Sequence, residues 1–277
     1  MTLKYLRYLL IWVSFPACLL AQEQDLFNFS NSLEYAQFLD QKGNHRLAIL
    51  EWERINMMKP GVDSLQLSLL RSYRLSHNWE QGERRFYDLF PGEARFQCSE
   101  EISREMALLL FMQSDFNSLG NYLTSHQVLS RDYVQPIQVS LALRNDDIEG
   151  AQKLYQDFNL QDARLSALMD KHQQLGYKSK GLALAMSTVV PGLGKAYVGN
   201  WKDGLVSLLF IGGSAFASYR GFKQNGVSSA YGWIFGTVST GFYLGNLFGT
   251  AKAVNKYNTG VFNHYRADVE NYIYHRL

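Results

Sequence analysis

The sequence predicts an all-α chain: an array of helical hairpins followed by a transmembrane helical hairpin. Three observations carry this reading. Between residues 31 and 175 apolar residues recur at helical spacing, never at strand period, and polar turns interrupt them every twelve to twenty residues. That pattern has an internal register, because Ala48, Trp52 and Ile55 are matched 34 positions later by Gly82, Phe86 and Leu89. Further on, Gly204–Tyr219 and Gly226–Ala251 carry no charge at all.

A chain of 277 residues is long enough for two domains. Its formal charge of +2, with no basic cluster, gives nucleic acid no footprint. Aromatic residues make up 14%, a composition that suits helix-repeat cores and membrane interfaces alike. Two cysteines, Cys18 and Cys98, cannot form a disulfide framework. Cys98 is expected to be a buried thiol, the usual habit of free cysteine.

Residues 1–21 have the layout of a secretory signal. Lys4 and Arg7 lead, an apolar stretch follows, and Ala21 offers a small residue at the cut. Cleavage after Ala21 is the primary expectation; lipidation at Cys18 after Ala17 is the rival, and an uncleaved anchor helix the third option.

Residues 22–175 form the predicted repeat domain. The turn Gly43-Asn44-His45 is matched by His77-Asn78-Trp79, a third copy starts at Ser114-Asp115-Phe116, and a fourth at Asp146-Asp147-Ile148 with Ala151 and Tyr155 behind it. A small residue (Ala48, Gly82, Ala151) lets two helices approach, and the aromatic one turn later (Trp52, Phe86, Tyr155) fills the gap to the next pair. Pro60 and Pro91 stop the second helices. A spacing near 34 is that of the tetratricopeptide repeat. The first copy resembles that family, with Ala36, Gly43, Ala48, Ile49, Trp52 and Pro60 at its pattern positions; later copies depart, with Gly82 and Leu119 replacing the alanine. An irregular helical bundle is the alternative. Asp162–Gln174 is read as a closing helix with Lys171, His172 and Gln173 on its exposed side.

Residues 176–252 form the predicted membrane domain. Leu182–Val190 is too short to span and reads as an interfacial helix broken by Pro191-Gly192-Leu193-Gly194. Of the two uncharged runs, the second meets the roughly 20-residue requirement easily, and the first only with Trp201 and its flanking cations. Gly241-x-x-x-Gly245-x-x-x-Gly249 has the close-packing spacing of membrane helices, within one chain or between chains, the first being preferred. Asn246 is expected to make a helix–helix hydrogen bond. A nucleotide loop is excluded, since Gly194-Lys195 is followed by Ala196 and no strand precedes it. Residues 253–277 read as an amphipathic C-terminal helix.

The motif Pro191, Gly192, Gly194, Tyr197, Gly199 and Gly204 resembles the P-G-x-G-x-x-Y-x-G-x-x-x-x-G signature of small two-helix bacterial membrane domains. With the repeats in front, the chain is similar to an uncharacterised bacterial family of exported envelope proteins. The resemblance implies a cell-envelope location with the repeats in the periplasm, and it brings no reaction with it. No histidine pair at metal spacing, catalytic triad or carboxylate pair stands out, so the expectation is a non-enzyme without cofactor or metal. The expected partners are an envelope protein, membrane lipid and a second copy of the chain, with no nucleic acid. The favoured function is a membrane-tethered scaffold for protein–protein interaction or envelope assembly. The alternatives are a membrane enzyme or carrier with a small-ligand site at the PGLG turn, and a purely structural oligomerising hairpin. The Arg220/Lys223 turn is expected to face the cytoplasm.

Overall fold

The computed structural model describes residues 25–126 and 128–277. The leader and Cys18 lie outside the described residues. Within them the fold is all-helical, with 81% helix, thirteen α-helices and no strand. The chain divides into two compact units, one ending at Val134 and one running from Gln135 to Arg276. The boundary drawn at residue 175 from the sequence falls inside the second unit.

The first unit holds α1 (Phe29–Gln41), α2 (His45–Met58), α3 (Asp63–Leu75), α4 (Trp79–Leu89), α5 (Glu100–Met112) and α6 (Phe116–Ser125). Consecutive helices pack on one another, and α3 also lies against α5. A left-handed residue sits in each of the turns at Gly43 (φ 74°), His77 (62°) and Ser114 (60°), reversing the chain in the space of a few residues. Gly82 shows why α4 needs a small residue: a Cβ there would lie 2.9 Å from Tyr73 Cβ and 3.1 Å from a Leu109 methyl. Ala48, Trp52 and Phe86 are buried, each large side chain contributing roughly 1.5–3 kcal/mol over its exposed state.

Polar bonds of long sequence reach stitch these helices together. Asp40 of α1 accepts from Trp52 Nε1 (2.7 Å) and Ser72 Oγ (2.9 Å), and its other neighbour is His45 Nδ1 at 2.9 Å. Arg85 pairs with Glu53 at 2.7 Å, and Tyr73 donates to the same carboxylate at 3.0 Å. Cys98 is a buried free thiol, 3.2 Å from Ser103 Oγ, and burial pushes its pKa up.

α7 (Arg131–Arg144) runs across the division between the units. The second unit continues with α8 (Ile148–Asp157), α9 (Ala163–Gln173), α10 (Lys180–Val189), α11 (Leu193–Tyr197), α12 (Trp201–Asn225) and α13 (Ala230–Arg276). Asp146 (φ 64°) is the left-handed residue of the turn before α8, and Asp147 caps α8 by accepting from Gly150 N–H at 2.8 Å. Ala151 is fully buried, whereas Tyr155 is half-buried and uses its hydroxyl to accept from Asp162 N–H at 3.2 Å.

α13 is one unbroken helix of 47 residues, passing without a stop through residue 252, where the sequence reading divides a membrane run from an amphipathic tail. Its C-terminal half is tied down by Arg144–Glu270 (2.7 Å) and Lys171–Asp268 (2.6 Å), and by Asp162, which accepts from Tyr272 Oη at 2.7 Å and pairs with Arg276. Burial alone would raise the Asp162 carboxyl, but these donors and the Leu165 N–H outweigh it and hold it below the usual carboxylate range. His172 corrects an expectation. It is turned inward, not outward, because Tyr265 and Phe262 take its ring edge-on at 5.2 and 6.5 Å and Asp146 lies 2.8 Å from its Nε2.

Candidate functional site

The glycine motif lies where α10, α11, α12 and α13 of the second unit meet. Ser179 caps α10 by accepting from Leu182 N–H at 3.3 Å, and the helix stops at Val190, ahead of a proline whose ring cannot continue it. Gly192 then takes a φ of 89°, and a Cβ on it would stand 2.0 Å from the Gly204 carbonyl oxygen. Gly204 meets Gly192 in return, at 2.5 Å from that residue's oxygen. Two backbones therefore touch here, and neither position has room for a side chain.

Gly194 does the same work one turn on. A Cβ would lie 2.0 Å from Ala183 O and 2.7 Å from Thr250 Cγ2. Its N–H donates to Ser187 Oγ at 3.0 Å, and that hydroxyl shares a 2.9 Å bond with Thr250, joining α10, α11 and α13. Gly199 differs: it is left-handed (φ 86°) but has open space around it, so it serves the turn alone. Tyr197 packs on the buried cluster of Ala183, Val198 and Val254, with Lys178 Nζ 4.8 Å from its ring centre. Pro191 is half-buried beside them. The motif is thus a four-helix junction.

α12 and α13 run back along each other. Ser218 Oγ donates to Gly232 O at 2.7 Å, Ser239 Oγ to Ile211 O at 3.2 Å, and the rings of Phe210 and Phe242 lie 5.6 Å apart. Their closest approach is not at the glycines that the spacing rule selects. Gly221 and Gly232 make it, since a Cβ on Gly221 would be 2.7 Å from Gly232 N. Gly241 and Gly245 are exposed, and a Cβ on either would meet nothing within 4 Å; Gly249 faces only the Lys195 side chain, 3.1 Å away. The close intrachain packing expected of this stripe is not seen at Gly241 and Gly245, because the two helices stand apart at their level.

What Gly241 and Gly245 do instead is open a cavity of about 330 Å³ between the two helices. Phe210, Ile211 and Phe242 form its apolar part, and Lys195, Ser207 and Asn246 its polar part. Lys195 Nζ donates to Ser207 Oγ at 2.8 Å, and that hydroxyl donates to Asp203 O at 2.8 Å. Asn246 is only 3% exposed, yet neither its carboxamide oxygen nor its nitrogen has a partner among the described residues. The helix–helix hydrogen bond expected of Asn246 is absent from the structure. A buried amide left so costs about 1–3 kcal/mol.

A smaller cavity, about 220 Å³, lies in the first unit between Arg95, Tyr122 and His126. His126 stacks on Tyr122 at 3.7 Å, and burial lowers its pKa. Among the described residues no group of three acidic, histidine or cysteine side chains is placed to hold a metal ion. The sequence reading missed both cavities. Lys195 and Asn246 stand 51 positions apart, and only the fold brings them to one site.

One helix among the described residues, Trp201–Ser228, is long and apolar enough to cross a membrane, with a mean hydropathy of 1.3 over its best window. The sequence reading ranked the second run first. Glycine, serine, threonine and tyrosine dilute that run, and it does not reach the same measure. No protein-family model, curated protein or solved structure matches this chain.

Proposed function

We infer that this chain is a helical-repeat scaffold tethered to a bacterial envelope membrane by α12 and the first half of α13, and that it binds a protein partner through its repeats. The observation that carries the tether is an apolar sleeve. Leu209 (64% exposed), Phe216 (66%) and Ile234 (61%) point outward from the uncharged stretches of the two helices. A soluble core helix would bury such residues; of the apolar window in α12 only 17% is buried. Exposed aromatic rings bound the sleeve at both ends: Trp201 at one, and Tyr219, Tyr231 and Trp233 at the other. At 1.5 Å per residue the rise from Trp201 to Tyr219 is about 27 Å, close to the hydrocarbon thickness of ~30 Å, and rings of this kind favour the headgroup level. On this reading α12 and α13 form the transmembrane hairpin, with the Arg220/Lys223 turn on the cytoplasmic side and the repeats outside.

The scaffold half rests on the paired helices and on the turns at Gly43, His77, Ser114 and Asp146, whose spacing stays near the 34 of tetratricopeptide repeats. Their likeness to exported envelope proteins of that architecture is part of the same reading. Tyr35 and Phe38 on α1 are half exposed and belong to no core, which makes α1 a face for a partner. Photo-crosslinking tests it. A benzoylphenylalanine at Phe38 should give a discrete adduct with one envelope protein in growing cells, lost with Tyr35→Asp; no adduct from either position would contradict the scaffold.

A further inference from the structure

The cavity between α12 and α13 has the makeup of a binding site. Its walls divide into two zones along the helix axis. The pairs 218/232, 211/239 and 210/242 set an antiparallel register, and continuing it places Asn246 opposite the turn that carries Val206 and Ser207. Lys195 bonds to that same turn. The polar groups therefore gather at the end of the cavity nearer Trp201, with the bare backbone of Gly245 beside Asn246, and Phe210, Phe242 and Gly241 line the end away from it.

The polar end lacks partners of one particular kind. Lys195 uses one of three ammonium donors on Ser207 and makes no ion pair among the described residues. No carboxylate lines the cavity. Asn246 offers two further donors and an acceptor, all unused. An anion placed there would neutralise Lys195 and accept from the Asn246 Nδ2–H groups in one step. The apolar end is walled by Phe210 and Phe242 and left open at Gly241, where a Cβ would meet nothing within 4 Å. A volume of about 330 Å³ is at the small end for ligand cavities (~300–1,000 Å³), which suits one chain and not the two of a diacyl lipid.

We propose that this cavity binds a single-chain amphiphile with an anionic head, the head held by Lys195 and Asn246 and the chain lying between Phe210 and Phe242. A fatty-acid carboxylate and a lysolipid phosphate share this chemistry. The occupant is independent of any protein that the repeats bind.

The test uses the full chain solubilised in detergent and tritiated oleate, read by scintillation proximity. Oleate binds, unlabelled oleate or oleoyl lysophosphatidate displaces it, and oleyl alcohol and inorganic phosphate displace it at least about tenfold less well, as expected when a charge-assisted bond and an apolar chain both contribute. The stronger of the two anions identifies the head group. Lys195→Gln removes the charge and Gly245→Leu fills the cavity, and each weakens binding by about tenfold or more. Gly245 faces open space, so Gly245→Leu keeps the fold even if a change at Lys195 disturbs it. Equal displacement by oleyl alcohol, or unchanged oleate binding by Gly245→Leu, overturns the proposal. So does a dimer, measured by light scattering in the same detergent, that binds no oleate and becomes a monomer on Gly245→Leu; a second copy would then be what fills the cavity.

Discussion

Gly192 and Gly199 both take left-handed backbone angles, and they should respond very differently to the same change. Alanine at Gly199 meets nothing within 4 Å, so its cost is the conformational strain alone, about 1–2 kcal/mol. Alanine at Gly192 adds a Cβ that would sit 2.0 Å from the Gly204 oxygen, and a backbone cannot swing aside as a side chain can. That cost should exceed the ~1–3 kcal/mol typical of overpacking. Thermal melting in detergent checks this: Gly192→Ala should lower Tm well beyond Gly199→Ala, and equal shifts would remove the junction from the account. At this scale the sequence was informative where one residue type answers one backbone need. Of the motif residues, Gly192, Gly194 and Gly204 are the ones where backbone meets backbone. The sequence could not say what Gly241 and Gly245 face, because a four-residue glycine spacing defines a helix face without saying what that face meets. It left out Gly221, whose contact with Gly232 spans a turn and has no local period.

α13 shows what an element hides from a linear reading. Its first half is uncharged and glycine-rich, and its second half is charged and tyrosine-rich, so composition shifts in the middle although the helix does not stop. The second half is held by contacts with α9, and Tyr265 there is only 1% exposed. Its hydroxyl is buried with no partner among the described residues, and burial drives its pKa well above the ordinary phenol range. Two variants separate the ring from the hydroxyl. Tyr265→Phe should leave stability unchanged or raise it slightly, since an unsatisfied polar atom is removed. Tyr265→Ala should cost about 3–5 kcal/mol and expose Lys256 and Arg266 to trypsin. A free amphipathic tail would show neither effect. His172 follows the same logic. It was read as solvent-facing, but its edge-on contact with Tyr265 comes from a helix almost a hundred residues away.

At the scale of the molecule, two claims have different standing in the chain itself. The helical character of residues 31–175 was legible because apolar period and turn chemistry agree, and the left-handed residues at 43, 77, 114 and 146 fall where that agreement put the turns. The membrane-length apolar helix α12 was legible as an uncharged run, though hydropathy reversed the ranking of the two runs. The cavity was not legible at all, because it depends on a register between helices. The tether is the claim on which the rest leans, and cysteine labelling across a sealed membrane tests it most directly. In a background with Cys18 and Cys98 replaced by serine, single cysteines are introduced as Lys180→Cys and Lys223→Cys, both exposed positions. A membrane-impermeant maleimide should label the first in intact spheroplasts and the second only after the membrane is opened. Labelling of both before opening, or release of the chain into the soluble fraction by alkaline carbonate, would contradict the account.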